Sequence, residues 1–365
     1  MNPTKEKIVA ILKNIIDPKT GQNIVAVNRV HDIRIERNVV QFALAIPNLT
    51  ETEKQSLNFE CMGKIMEVYP QAMVHVHMVN PNQNNPKAGG GTLPQVRNII
   101  AVASGKGGVG KSTVSVNLAL GLKALGAKVG IIDADLYGPS IPTMFGLQGQ
   151  RPKVTNVHGR NKIIPLEAHG MPIMSIGFIV EPEQAVVLRG PRLAAIVKQF
   201  INDCLWPELD YLVIDLPPGT GDIQLTLVQT VPITGAVMVT TPQEVALADA
   251  IKAMNMFLLQ NVNVPILGVV ENMSWFTPAE LPNNKYHIFG KGGGKKLAKL
   301  SESMLLGQIP IVQSIREAGD KGVPAILQDE AITKEAFMTV AKNTLRQVMI
   351  RNEYLEPTRI VKMKN

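Results

Sequence analysis

The sequence predicts an α/β fold: a mostly parallel, doubly wound sheet preceded by a small α+β domain. Three observations predict it. From Asn98 onward, short apolar runs alternate with longer helical patterns, as parallel strands joined by crossover helices do. The first of these runs, Ile99–Ala103, passes through a glycine loop directly into a helix. Residues 1–79 carry their own helix and strand pattern, set apart by Asn80–Val96 (NPNQNNPKAGGGTLPQV), a stretch with almost nothing to bury.

In the small domain, Ile8, Ile11, Leu12 and Ile15 make a helical stripe over residues 5–16, which Asp17-Pro18-Lys19-Thr20-Gly21 breaks. Strand-like runs follow at Ile24–Val30, Ile33–Ile35 and Val39–Ile46, with a turn at Arg37-Asn38. Leu57, Cys61, Ile65 and Val68 share the face of a second helix, and Ala72–Val79 is a last strand, giving α-β-β-α-β order. His75 and His77 alternate on that strand; with no third ligand in view, they read as ordinary strand histidines rather than a metal site. Residues 80–96, treated as a flexible coil, span roughly 20–25 Å.

The apolar runs that follow Ile99–Ala103 are Val129–Ile132, Ile173–Ile176, Tyr211–Ile214, Ala236–Thr240, Ile266–Val270 and Leu305–Ile309. Helical patterns fall at Leu193–Leu205, Val245–Leu259 and Ala331–Met349. Cys61 and Cys204 both sit on apolar helix faces and read as core.

The chemistry is concentrated at NIIAVASGKGGVGKST. Gly105 to Ser112 fit G-x-x-x-x-G-K-[ST], the phosphate-binding loop. Gly105, Gly107, Gly108 and Gly110, with Val109 among them, let backbone N–H groups wrap a polyphosphate. The following helix adds unpaired N–H donors and the positive end of its dipole. Lys111 supplies charge to the β- and γ-phosphates, and the Ser112 hydroxyl, with Thr113 beside it, can ligate Mg²⁺. Val114, Leu118, Leu122 and Leu125 form that helix's apolar face, and Gly126 ends it. A glycine turn that matches by chance would lack this flanking strand and helix. The loop predicts a nucleotide site.

Two further strands end in carboxylates, where ligands gather on such sheets. Val129–Ile132 runs into Asp133 and Asp135, which can face the γ-phosphate and Mg²⁺; Asp135 is the candidate to orient an attacking water. Tyr211–Ile214 runs into Asp215, a Walker B pattern that places it to hold magnesium. In LPPGTGD, Gly219 can bring a backbone N–H near the γ-phosphate and reorganise when that group leaves.

Composition sets outer limits. At 365 residues and 45% hydrophobic, the chain can bury two cores. No apolar run approaches the ~18 residues of a membrane span, and the first residues lack the apolar region of a secretory signal. Two cysteines do not make a disulfide framework, so a cytoplasmic protein is expected. The net charge of +7 invites nucleic acid or an anionic surface. With no basic block and no interleaved aromatics, it reads instead as dispersed solvated lysines, and nucleic acid is not an expected partner.

The loop carries a second lysine, Lys106, after its first glycine, and so resembles the deviant Walker A ATPases, among them MinD, ParA and the nitrogenase iron protein. Within that group DADLYGPSIPTMFG (133–146), VIDLPPGTGD (213–222), TTPQEVALAD (240–249) and GVVENMSWF (268–276) most resemble the Mrp (ApbC) branch, which is implicated in iron–sulfur cluster carriage. The small domain, with its Asp17-Pro18 turn, is similar to SufT-like assembly factors. The resemblance implies residues 1–79 as a SufT-like domain, 80–96 as linker, 97–352 as the P-loop ATPase and 353–365 as a tail. It implies a homodimer that sandwiches two ATP molecules with Mg²⁺ and hydrolyses them. Lys106 would reach the partner subunit's nucleotide, Asn272 would read the adenine edge and Pro310 would line the base pocket. Apo iron–sulfur proteins and cluster scaffolds are the implied partners.

One departure stands out. The branch usually carries Cys-x-x-Cys between its N-M-S-aromatic and H-I-F-G motifs, but that interval reads TPAELPNNKY (277–286) here. A cluster is implied while its usual thiolates are missing; Glu280 and His287 remain as poor substitutes. The competing reading is a MinD- or ParA-like positioning ATPase that binds membrane or DNA. The end of the chain, with Pro357 and little apolar content, does not read as a lipid-binding helix. A reductase or pump ATPase is disfavoured by the absence of nitrogenase-type cysteines and duplicated halves.

Overall fold

In a computed structural model, the chain is described from residue 3 to 355 except for 28, 37–38, 46–50, 71, 80–92, 136–137, 158, 180–189, 222–223, 226–230, 261, 279 and 282. It divides into two compact units, Met1–Pro86 and Lys87–Asn365.

The first unit has the order α1 (Lys5–Leu12), β1 (Val30–Glu36), β2 (Val39–Ala45), α2 (Glu51–Val68) and β3 (Met73–Val79). β2 is central, antiparallel to β1 and parallel to β3. Ile8, Leu12 and Ile15 pack with Phe42 and Leu44 of β2 and with Leu57, Cys61 and Ile65 of α2. Two expectations are corrected. Ile24–Val30 is not a strand before Val30, because the Asn23 side chain accepts the Ala26 N–H (2.7 Å) and curls the segment into a turn. Val68 is exposed, and Tyr69 takes its place at the end of the helix. The Arg37-Asn38 turn lies outside the described residues.

Asp17 organises the break after α1. One carboxylate oxygen accepts the N–H groups of Lys19 and Thr20, and the other takes the Arg29 guanidinium. Burial alone would raise its pKa, but these donors hold the carboxyl below the usual range.

The second unit is an eight-stranded sheet of order β13-β12-β11-β4-β10-β5-β9-β8. The strands are β4 (Val96–Ser104), β5 (Val129–Asp133), β8 (Leu166–Ala168), β9 (Met171–Ser175), β10 (Leu209–Asp215), β11 (Gly235–Thr240), β12 (Ile266–Glu271) and β13 (Leu305–Gln308). All neighbours are parallel except β8 with β9, so the predicted doubly wound sheet is found. A separate hairpin, β6 (Lys153–Val157) and β7 (Arg160–Ile164), was not foreseen.

β4 explains why its sequence is apolar throughout. Ile99, Ala101 and Ala103 face one core, while Ile100 and Val102 face the other. The first core is covered by α5 (Gly190–Asp203), α6 (Glu244–Leu258) and α7 (Gly293–Leu300). The second takes α3 (Lys111–Ala124) and α9 (Ala331–Tyr354), with α4 (Ile141–Met144) and α8 (Gln313–Asp320) beside them. α3 ends just before Gly126, and Leu125, expected on its apolar face, is partly exposed as the C-cap. Leu93 is buried and β4 opens at Val96, so the first core reaches into the stretch expected as linker.

Candidate functional site

The glycine loop runs from the end of β4 to the start of α3. After β4 the chain moves out to β5 and on to the edge strand β8, returns through β9 to β10 beside β4, and then continues on the far side through β11. Strand order thus reverses around β4, and the loop sits at the carboxyl edge of that switch point.

Gly110, the N-cap of α3, has φ +81°, a conformation a side chain would strain. The loop borders a cavity of about 370 Å³ lined by Gly107, Gly108, Lys111, Ser112, Thr113 and Asp135. Lys106 reaches it as well. Ser104, Gly110 and Gly138 also line it, as do Ser140, Met144 and Pro218, which the motif reading did not single out.

Charge converges beneath the loop. The Lys111 ammonium lies 2.9 Å from Asp215 Oδ1 and 3.4 Å from Asp135 Oδ2. Asp215, at the end of β10 and fully buried, also accepts hydrogen bonds from Ser112 Oγ (2.5 Å) and Ser115 Oγ (2.6 Å). Ser115 is a partner that the sequence reading missed. It lies one turn beyond Lys111 on α3, so helical spacing from the lysine was the available signal.

Asp133 is placed differently from expectation. It is beside Asp215 in the sheet register, fully buried and off the cavity lining. Its carboxyl accepts Ser175 Oγ–H (2.8 Å) and the Asp135 N–H (3.1 Å). Burial, reinforced by the negative charge of Asp215, pushes its pKa up to about 8. Asp133 therefore fixes the backbone of Asp135 rather than facing a phosphate. Gly219 also differs: in this conformation its N–H donates to the Ser104 carbonyl (2.9 Å) instead of opening on the cavity. Leu136, Tyr137 and Asp222 of the same motifs lie outside the described residues.

Neither Asn272 nor Pro310 lines this cavity. Asn272, just past β12, donates its side-chain amide to the Val109 carbonyl (2.9 Å), leaving its carbonyl oxygen as the group able to meet an adenine amine. Pro310 is buried between Ile309 and Ile311, whose N–H groups bond the Glu271 and Trp275 carbonyls. The buried Glu271 carboxylate, also missed, accepts Ser274 Oγ–H, Gln308 Nε2–H and the Gly294 N–H, tying β12 and β13 to the start of α7. The ends of the segment that stands in place of the cysteine pair are joined. Phe276 and Tyr286 exchange backbone hydrogen bonds of 2.8 Å, and the Lys285 ammonium stands 4.2 Å over the Trp275 ring. His287 has its Nδ1 2.9 Å from the Ser274 carbonyl.

Cys61 and Cys204 are 0% and 5% exposed, in the cores of different units. Burial pushes both thiols up to about 12. Among the described residues no three His, Cys, Asp or Glu side chains group as metal ligands, and no helix is long and apolar enough to cross a membrane.

A doubly wound parallel sheet with a glycine loop, its lysine and a strand-end aspartate at the switch point defines a P-loop NTPase. Residues 95–345 match the model of the NUBPL iron-transfer P-loop NTPases, and residues 5–77 match that of an iron–sulfur cluster assembly protein. The chain belongs to the NUBPL iron-transfer P-loop NTPase family. It is 42% identical over 350 residues to the iron–sulfur cluster carrier protein of Synechocystis, covering 94% of this chain and 98% of the relative. It is 43% identical over 329 residues to the protein of that name from Escherichia coli K12, covering 88% and 85%. Among solved structures it resembles a nucleotide-binding protein of Archaeoglobus fulgidus in complex with ADP. That match has 37% identity and a TM-score of 0.56, covering 66% of this chain and 94% of that one. The cell division ATPase MinD of Pyrococcus furiosus shares the fold at 24% identity and a TM-score of 0.50, covering 68% and 98%.

Proposed function

We propose that this chain is an ATP-binding and ATP-hydrolysing iron–sulfur cluster carrier that helps load clusters onto apo-proteins in the cytoplasm. It acts as a homodimer with two nucleotides held between the subunits. The observation that carries the ATPase part is the convergence of Lys111, Ser112 and Asp135 on one cavity beneath the loop, with the buried Asp215 bonded to Lys111 and Ser112 behind its wall. Relatives named as cluster carriers, matched over most of their length, support the cargo.

The donor set suits Mg²⁺ and a polyphosphate. Ser112 Oγ and Asp215 Oδ2 are adjacent hard oxygen donors of the kind magnesium takes. When bound, the ion neutralises charge on the β- and γ-phosphates. Lys111, now paired with Asp215 and Asp135, exchanges those carboxylates for phosphate oxygens. Asp135, with its backbone held by Asp133, accepts a hydrogen bond from the attacking water and orients it. Lys106 extends to the nucleotide of the other subunit and stabilises charge in the transition state. Asn272 and Pro310 form the base side of the site.

Complementation tests the reading. Cells lacking this protein should lose activity of enzymes that need iron–sulfur clusters, and wild type should restore it where Lys111→Ala does not. Equal restoration by both would remove ATP from the function.

A further inference from the structure

The thiols of this protein stand in contrast to the cargo proposed for it. Iron–sulfur clusters are held by cysteine thiolates, four in the ordinary case and two even where histidines replace the others. The whole chain has two cysteines. Cys61 lies on α2 between Leu57 and Ile65, in a core shared with Ile8, Leu12 and Phe42. Cys204 follows α5 and packs with Val197, Phe200, Ile201 and Trp206 beneath the large sheet. Two copies would bring four thiols, enough by number. Each, however, is enclosed by the apolar side chains of its own unit, and exposing it means opening that core. Burial also favours the neutral thiol in both places, where ligation needs the thiolate. His287 has Nδ1 against the Ser274 carbonyl, and a single imidazole does not stand in for cluster thiolates.

We infer that this protein holds no cluster on its own thiolates, and that the ligands of any cluster it handles come from a second protein bearing accessible cysteines. The inference rests on the carrier reading for its cargo but not for its thiol chemistry.

Two measurements on the full chain test it. A water-soluble maleimide should label neither cysteine of the native protein within the time that labels both in denaturant. Anaerobic incubation with ferrous iron, sulfide and dithiothreitol, followed by desalting, should leave far less than one iron per chain and no visible charge-transfer absorption. The same sample should still turn over ATP. Fast labelling of either cysteine, or retention of iron and sulfide at one or more of each per chain, overturns the inference. Cys61→Ser and Cys204→Ser would then identify the ligand. Absence of ATP turnover in that sample strikes the ATPase reading and leaves the ligand conclusion to the iron and labelling results.

Discussion

Gly105 lies directly under the Asp249–Ala250 peptide of α6, so close that a Cβ built on it would fall inside that backbone. The first glycine of the phosphate-binding loop is thus fixed by packing of a helix from the other side of β4. Backbone on both sides leaves no flexible atom to give way, and the cost is that of overpacking a rigid core. Gly105→Ala is expected to destabilise the second unit by about 3 kcal/mol, measured as the shift in its urea unfolding. Gly107→Ala is the control, because its Cβ would meet only Pro218 Cγ at 4.0 Å. Equal effects from the two would show that the contact with α6 does not matter.

Lys111 is the cation of an otherwise acidic cluster. Removing it takes the charge from the phosphates and also leaves the buried Asp215 with only two hydroxyl donors, Ser112 and Ser115. Lys111→Ala is expected to weaken ATP by about 100-fold or more, as loss of a charge-assisted contact implies. Titration calorimetry with Mg-ATP reads it, and unchanged affinity would remove the site assignment.

Lys106 makes a sharper test because it does different work. Its side chain is half-buried at the cavity and its carbonyl accepts from Ser104 Oγ (3.0 Å), so the loop conformation does not depend on the ammonium. Lys106→Gln should bind ATP normally and lose turnover by at least about 10-fold, by analogy with a charge supplied in trans. Phosphate release at saturating ATP measures it; full turnover would end the trans-lysine role.

Much of this was legible because of where the information lies. Parallel strands buried on both faces must be apolar end to end, so the seven parallel strands β4, β5 and β9–β13 stand out as runs of Ile, Val and Leu. The β6–β7 hairpin (KVTNV, RNKII) is polar and half-exposed, and β8 is three residues long; neither leaves a period to read. α7 begins inside a run of glycines, and α8 buries only Ala318. The loop motif is contiguous, so Lys111 and Ser112 announce themselves. Ser175 and Glu271 do not, since their roles depend on strands that become neighbours only in the sheet. The same holds for Asp133: its spacing put it at the site, and its depth in the sheet gave it a different part.

That part sets a pH dependence. Asp133 is pushed up from the usual carboxylate range to about 8 in the folded protein, first by burial and then by the charge of Asp215. Folding therefore favours its protonated form. The stability this contributes is fully present below about pH 4 and is lost as pH rises through about 8. Asp133→Asn keeps an acceptor for the Asp135 N–H and stays neutral at every pH. In the absence of nucleotide, the variant should gain stability relative to wild type between pH 5 and pH 9. Urea midpoints at pH 5, 7 and 9 for the two proteins give the difference directly. A constant offset across that range would mean that Asp133 is already ionised in the folded chain, with Lys111 carrying enough positive charge for both Asp215 and its neighbour.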